Sequence, residues 1–157
     1  MADRASFVFR QQAKPCAGDM RIAWRVSVTL VALLHSRAQR ASFAKLHVLN
    51  DAICSSASRE KLVSILDGKT PALNWRLRIE PAFTRALDFL VGEGFAEWSV
   101  ANQRMSLALT TRGKEAARAV SEVEGALGDE RAFLQGQAKR VTEQFVNGLT
   151  AAGRALL

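Results

Sequence analysis

The sequence predicts a mostly α-helical chain with a small antiparallel sheet, an α+β fold. The stretch that follows Pro81 supports this prediction first, because its apolar residues recur at helical spacing. Glycines at 92 and 94 then mark a helix end, since glycine readily takes the left-handed conformation that ends many helices. Beyond them the apolar period changes to two, which is typical of strands. The alternating residues are Ala96, Trp98 and Val100 on one strand, and Met105, Leu107 and Leu109 on the next.

The four residues Ala101 to Arg104 separate these two strands and predict a short hairpin loop. Thr110 follows the second strand and is a suitable N-cap for another helix. A helix, a glycine turn, a hairpin and a capped helix form the order of a winged helix-turn-helix. We therefore expect an N-terminal arm at 1–17, a winged-helix domain at 18–113 and a C-terminal helical segment at 114–157.

Three further helices are predicted before Pro81. The first runs from Met20 to His35 and is apolar on nearly every side, which indicates a helix buried in the core. A second begins near Ser42, and a third is capped by the serines at 55–58 and ends at Asp67. Residues 74–80 alternate apolar and charged side chains, which predicts a half-buried strand that completes a three-stranded sheet with the hairpin.

The C-terminal segment carries an apolar stripe at spacings of three and four residues, similar to a coiled-coil seam. The stripe predicts either a helical hairpin or an extended helix that docks on another chain. Two phenylalanines in the N-terminal arm suggest a segment that binds a partner. The candidate partner-binding residues are therefore Phe7, Phe9, Leu134, Val141, Phe145 and Leu149.

Composition and motif spacing argue against several classes of protein. Apolar residues make up 48% of the 157 residues, which is typical of a globular protein and not of a disordered one. The longest apolar run is about half of a membrane span, and the two cysteines show no disulfide or zinc spacing. No catalytic, metal or phosphate-loop pattern is present. We expect a cytoplasmic protein that is not an enzyme and needs no cofactor or membrane.

The basic charge favours the N-terminal region and permits contact with nucleic acid. The net charge is +7, and residues 1–40 hold seven Arg and Lys against two acids. Side chains of Arg, Lys, Asn and Gln read base edges, while further cations hold phosphates. The helix after Pro81 offers few of these, which predicts a poor reader of the major groove. The candidate nucleic-acid-binding residues are Arg37, Arg40, Arg76, Arg78, Arg85 and Arg104.

A family resemblance adds to this interpretation. The segments that carry it are Arg21–Ala23, Arg40–Ser42, Leu46–Asn50 and Leu77–Phe89. Over residues 18–115 the chain resembles the winged-helix middle component of bacterial ABC three-component systems, which are Lamassu-like antiphage defence systems built on an SMC-type ATPase. The resemblance implies a non-catalytic, kleisin-like accessory subunit that bridges the SMC/ABC-type ATPase and an effector. It allows a direct or complex-mediated contact with DNA.

Two alternatives stay open. The turn Leu109-Thr110-Thr111-Arg112-Gly113 also follows the wing in transcriptional regulators of the MarR and PadR kind, which dimerise through terminal helices. A regulator of this kind would be a homodimer that binds operator DNA. A homodimeric adaptor that binds no nucleic acid is the other alternative.

Overall fold

The structure, a computed structural model, describes residues 18–154 of the chain, and its side chains from residue 21 onward except Ala101. Within this range the fold is mostly helical with a small antiparallel sheet, as predicted. The helices are α1 (Gly18–Leu34), α2 (Phe43–Ile53), α3 (Ser56–Leu66), α4 (Pro81–Gly92), α5 (Thr111–Glu122), α6 (Gly128–Gln137) and α7 (Glu143–Arg154). The strands are β1 (Arg40–Ser42), β2 (Ala96–Ala101) and β3 (Arg104–Leu109). Short 3₁₀ turns lie at Arg37–Gln39 and Ala72–Asn74.

The sheet has the order β1-β3-β2, with both neighbouring pairs antiparallel. Strands β2 and β3 form the predicted hairpin, in which Trp98 pairs with Leu107. The two turn residues, Asn102 and Gln103, have φ of 51° and 60°, which matches the two-residue turns that suit the twist of a hairpin. The third strand is β1, where Ala41 pairs with Leu107 on the other edge of β3.

The prediction of a strand at residues 74–80 is therefore wrong. Trp75 is buried and Leu77 half-buried, as the alternation predicted, but Ile79 is 67% exposed. The segment runs beside α2, and the backbone N–H of Arg78 donates to the Asp51 carboxylate (3.1 Å). The carboxylate of Asp51 thus accepts an N–H that would otherwise bond to a neighbouring strand, and the third strand of the sheet is β1.

Local signals in the sequence place most of the helix starts. The hydroxyls of Ser42, Ser55 and Thr110 each accept from the backbone N–H three residues on, and so cap α2, α3 and α5. Pro81 occupies the first turn of α4. These caps satisfy backbone donors that have no partner within the helix.

The backbone of Phe95 explains why the residue at position 113, in the first turn of α5, is a glycine. A Cβ at this position would lie 1.8 Å from the carbonyl oxygen of Phe95. That same oxygen accepts the backbone N–H of Thr110 (3.1 Å), which joins the start of α5 to the start of β2. The close approach of the two backbones therefore requires a residue without a side chain.

The core consists of two apolar clusters that share α1. One cluster joins α1 to α4, α5 and the sheet through Val26, Leu30 and Leu33. The other joins α1 to α2, α3, α6 and α7 through Val28 and Val31. Because opposite sides of α1 serve the two clusters, the prediction of a helix buried on nearly every side is confirmed for its second half.

The C-terminal stripe does not form one extended helix. Helix α6 ends at Gln137 and α7 begins at Glu143. Five apolar residues from this part of the chain are at most 3% exposed and belong to the same cluster as α1–α3: Leu134, Ala138, Val141, Val146 and Leu149. Helices α6 and α7 and the turn between them thus cover the core of their own chain.

Thr142 causes the break that the spacing of apolar residues does not reveal. Its hydroxyl accepts the backbone N–H of Phe145 (3.1 Å), which caps the first turn of α7. We expect Thr142→Ala to lower the free energy of unfolding by about 1 kcal/mol, the typical value for a lost N-cap. Urea denaturation of both proteins measures this. Thr142→Ser, which keeps the hydroxyl, should stay near the wild type, and an equal loss in both variants would contradict the cap.

Candidate functional site

The predicted partner-binding stripe is not an exposed surface. Leu134, Val141 and Leu149 are 0%, 0% and 3% exposed, because they pack against α1, α2 and α3. Phe145 is half-buried against the same cluster. We therefore correct the assignment of Leu134, Val141 and Leu149 to a docking surface, while that of Phe145 stays a prediction. Phe7 and Phe9 lie outside the described residues.

The candidate nucleic-acid-binding arginines do not form one patch. Arg37 and Arg40 lie at the entry to β1, and both are exposed. Arg85 lies alone on α4. Arg104 is half-buried and its guanidinium lies 3.3 Å from the carboxylate of Glu143 at the start of α7, so it joins the hairpin to α7. The two remaining candidates, Arg76 and Arg78, line the same cleft.

The outer face of α4 offers little to a nucleic acid. Its inner face is buried through Phe83, Ala86, Leu87 and Leu90. The exposed positions include one cation, one anion and an aromatic ring: Arg85, Asp88 and Phe89, of which Phe89 is 46% exposed. This near-neutral face agrees with the sequence prediction of a poor groove reader.

The end of the hairpin carries an exposed apolar pair. Val100 and Met105 are cross-strand partners and are 74% and 58% exposed. They share a face with Trp98, whose ring lies 6.5 Å from that of Phe43 at the core. The apolar face of the hairpin therefore continues beyond the body of the fold. Sequence alternation placed Val100 and Met105 on this face, but it gave no sign that the sheet extends past the core.

A cleft of about 730 Å³ lies between the start of α3, the end of α2 and residues 74–81. Its lining combines three cations, two carboxylates and an exposed isoleucine: Lys61, Arg76, Arg78, Asp51, Glu80 and Ile79. The sequence analysis singled out Arg76 and Arg78 but missed Lys61. Helical spacing places Lys61 on the polar side of α3, yet only the tertiary structure brings that side next to residues 76–78.

A polar network holds one wall of the cleft. The guanidinium of Arg25 in α1 donates to both carboxylate oxygens of Glu80 and to Oδ1 of Asn50 (3.2 Å). The Asn50 amide also donates to Glu80 (3.3 Å). Charge-assisted bonds with two contacts are geometrically specific. The network therefore ties α1, α2 and the first residue before α4 into a fixed arrangement.

Burial changes the acid–base properties of two groups at the cleft. It raises the pKa of Asp51, while the Arg78 backbone N–H and guanidinium oppose part of that rise. It also raises the pKa of the Cys54 thiol, and the nearby Glu80 carboxylate adds to the effect. The thiol donates to the carbonyl oxygen of Asn50 (3.1 Å). A thiol with a raised pKa is a weak nucleophile at neutral pH, so the cleft is better suited to binding than to thiol chemistry.

Between residues 18 and 154, no helix has the length and apolar character needed to span a membrane. Comparison with protein-family models, curated proteins and solved structures gives no match to this chain.

Proposed function

We propose that this chain is a non-catalytic accessory subunit that binds other proteins through a winged-helix domain. The order of elements supports the winged helix: α1, β1, the three helices α2 to α4 and then the β2–β3 hairpin, with the sheet order β1-β3-β2. In this assignment α4 takes the place of the recognition helix, because it directly precedes β2, and the hairpin is the wing.

The observation that carries the proposal is the exposed apolar pair Val100 and Met105 on the wing, in a fold whose helix α4 carries a single cation, Arg85. Exposed apolar side chains that protrude from a fold favour a protein partner, because their burial removes apolar surface from water. A wing that contacts DNA phosphates would instead need cations. Of the wing residues, Arg104 is already paired with Glu143.

The specific form of the proposal follows the resemblance of residues 18–115 to the middle component of Lamassu-like systems. In that form the partner is an SMC/ABC-type ATPase, and the chain joins it to an effector. The regulator alternative needs terminal helices with apolar faces that are free for a dimer. Because α6 and α7 bury theirs in their own chain, we do not propose that alternative.

Affinity capture of the tagged chain from its native host, after nuclease treatment, tests the function. We expect a large ATPase of this type in stoichiometric amount. The double variant Val100→Thr and Met105→Gln should weaken its capture by at least about tenfold, because burying each apolar side chain contributes about 1.5–3 kcal/mol. Both positions are exposed, so the variant should fold normally.

Glu97→Gln is the matched control, since Glu97 is exposed on the opposite face of β2. It should capture the ATPase as the wild type does. If the chain elutes alone, or if the proteins captured with it are lost on nuclease treatment, the accessory-subunit function is excluded. Equal capture by the wild type and the double variant would exclude the wing as the contact.

A further inference from the structure

We infer that the cleft between α3 and residues 74–81 binds a phosphate group, carried either by a nucleic acid or by a free nucleotide. This site lies on other elements than the wing and does not depend on the protein-binding function proposed above.

Three cations border the cleft from two elements: Lys61 from α3, and Arg76 and Arg78 from the extended segment. All three are exposed, and none forms an ion pair with another described residue. Cations on separate elements that converge on one concavity can contact one anion from several sides, without first giving up an internal partner.

The two carboxylates at the cleft are occupied by contacts within the protein. Glu80 accepts from Arg25 and Asn50. Asp51 accepts from the Arg78 backbone. The Arg25 charge balances that of Glu80, so Lys61, Arg76 and Arg78 against Asp51 leave the cleft cationic. An anion would therefore enter a positive environment.

Hydrogen-bond donors add to the charge. The first backbone N–H groups of a helix have no partner within the helix and can donate to a ligand. Helix α3 begins at the cleft, with Ser55 as its N-cap. The start of a helix carries partial positive charge that favours anions.

A phosphate group fits the cations and hydrogen-bond donors of the cleft better than a carboxylate does. Arginine guanidinium groups bind phosphate oxygens through two parallel hydrogen bonds. The terminal phosphate of a nucleotide presents three non-bridging oxygens, and each phosphodiester of a nucleic acid presents two with further phosphates beside it along the strand, while a single carboxylate presents two in all. The open shape of the cleft admits both a phosphate within a polymer and the terminal phosphate of a nucleotide.

Fluorescence anisotropy of the full-length chain tests the inference with two separate probes, a labelled DNA oligonucleotide and a labelled ATP analogue. We expect saturable binding of at least one. The variant Arg76→Glu with Arg78→Glu should weaken that binding by about tenfold or more. With DNA, the slope of log affinity against log salt should become shallower by about two, one for each lost phosphate contact. The DNA arm and the ATP arm identify the source of the phosphate.

The matched control is Arg118→Glu with Lys139→Glu, which reverses two exposed charges outside the cleft, one on α5 and one between α6 and α7, neither of them in an ion pair with a described residue. It should bind nearly as the wild type does. Lys61→Glu repeats the test from a second element, so the result does not depend on the folding of one variant. Absence of binding to both probes, or equal weakening in the control, would overturn the inference.

The two proposals can fail separately. The variant with Arg76→Glu and Arg78→Glu should still capture the ATPase, because the wing is unchanged. The variant with Val100→Thr and Met105→Gln should still bind the phosphate probe.

Discussion

A chain that ends at Leu127 should lose its cooperative unfolding transition. Such a truncation removes α6 and α7, and with them five nearly fully buried apolar residues that pack against α1–α3. Loss of a single buried Leu or Ile side chain costs about 2–5 kcal/mol, and a typical domain is stable by only about 5–15 kcal/mol in total. The free energy lost by the truncation should therefore exceed the total free energy of unfolding of the domain.

Thermal unfolding followed by circular dichroism measures this effect. Leu149→Ala provides a graded version, with an expected loss of about 2–5 kcal/mol. Gln135→Ala, at an exposed position of α6, should change stability by less than about 0.5 kcal/mol. If residues 1–127 unfold cooperatively near the midpoint of the full chain, then α6 and α7 are dispensable and the stripe is again available for a partner.

The stability of the fold should decrease as the pH falls below 6.5, and His47 should be a main cause. His47 is 0% exposed and lies between the rings of Phe43 and Phe83, at centroid distances of 4.3 and 4.9 Å. Neither ring nitrogen makes a well-formed hydrogen bond with a described residue. Burial lowers the pKa of His47, although the Arg78 backbone and the Glu80 carboxylate oppose part of that effect.

The sign follows from proton binding. Because the folded pKa lies below the ordinary value of 6.5, the unfolded chain takes up a proton first as the pH falls. The contribution to stability is complete above pH 6.5, decreases by at most about 1.4 kcal/mol per pH unit below it, and levels off under the folded pKa. His35 acts in the same direction, because burial and the nearby Lys139 lower its pKa.

Urea denaturation between pH 7.5 and 5.0 measures this dependence. His47→Leu has similar volume and no titrating group, so its stability should fall less steeply than that of the wild type. His35→Asn is the control, and it should retain the part of the pH dependence of stability that is due to His47. Asp51 has a raised pKa and acts in the opposite direction at low pH, but it is present in all three proteins and cancels in the comparison. Equal pH dependence of the wild type and His47→Leu would exclude His47.

Most of the local elements could be predicted from the sequence. Serine and threonine caps, Pro81 and the change of apolar period located α2, α3, α4, α5 and the hairpin, because these signals act within a few residues of chain. It also predicted the α+β class and a near-neutral outer face for α4. The caps mark where helices begin, and the period of the apolar residues shows the type of each element and its apolar side. Together they were enough to predict the fold class.

The residues that cover each apolar side depend instead on how the helices and strands pack together. The stripe from Leu134 to Leu149 has the same spacing whether it binds a partner or its own core, and the cap at Thr142 turns it back onto α1–α3. Residues 74–80 alternate like a strand, but the third strand is β1, and the Asp51 carboxylate accepts the backbone N–H of Arg78. Lys61, Arg76 and Arg78 meet at one cleft for the same reason: contacts between residues distant in the chain depend on how the elements pack, which no local pattern contains.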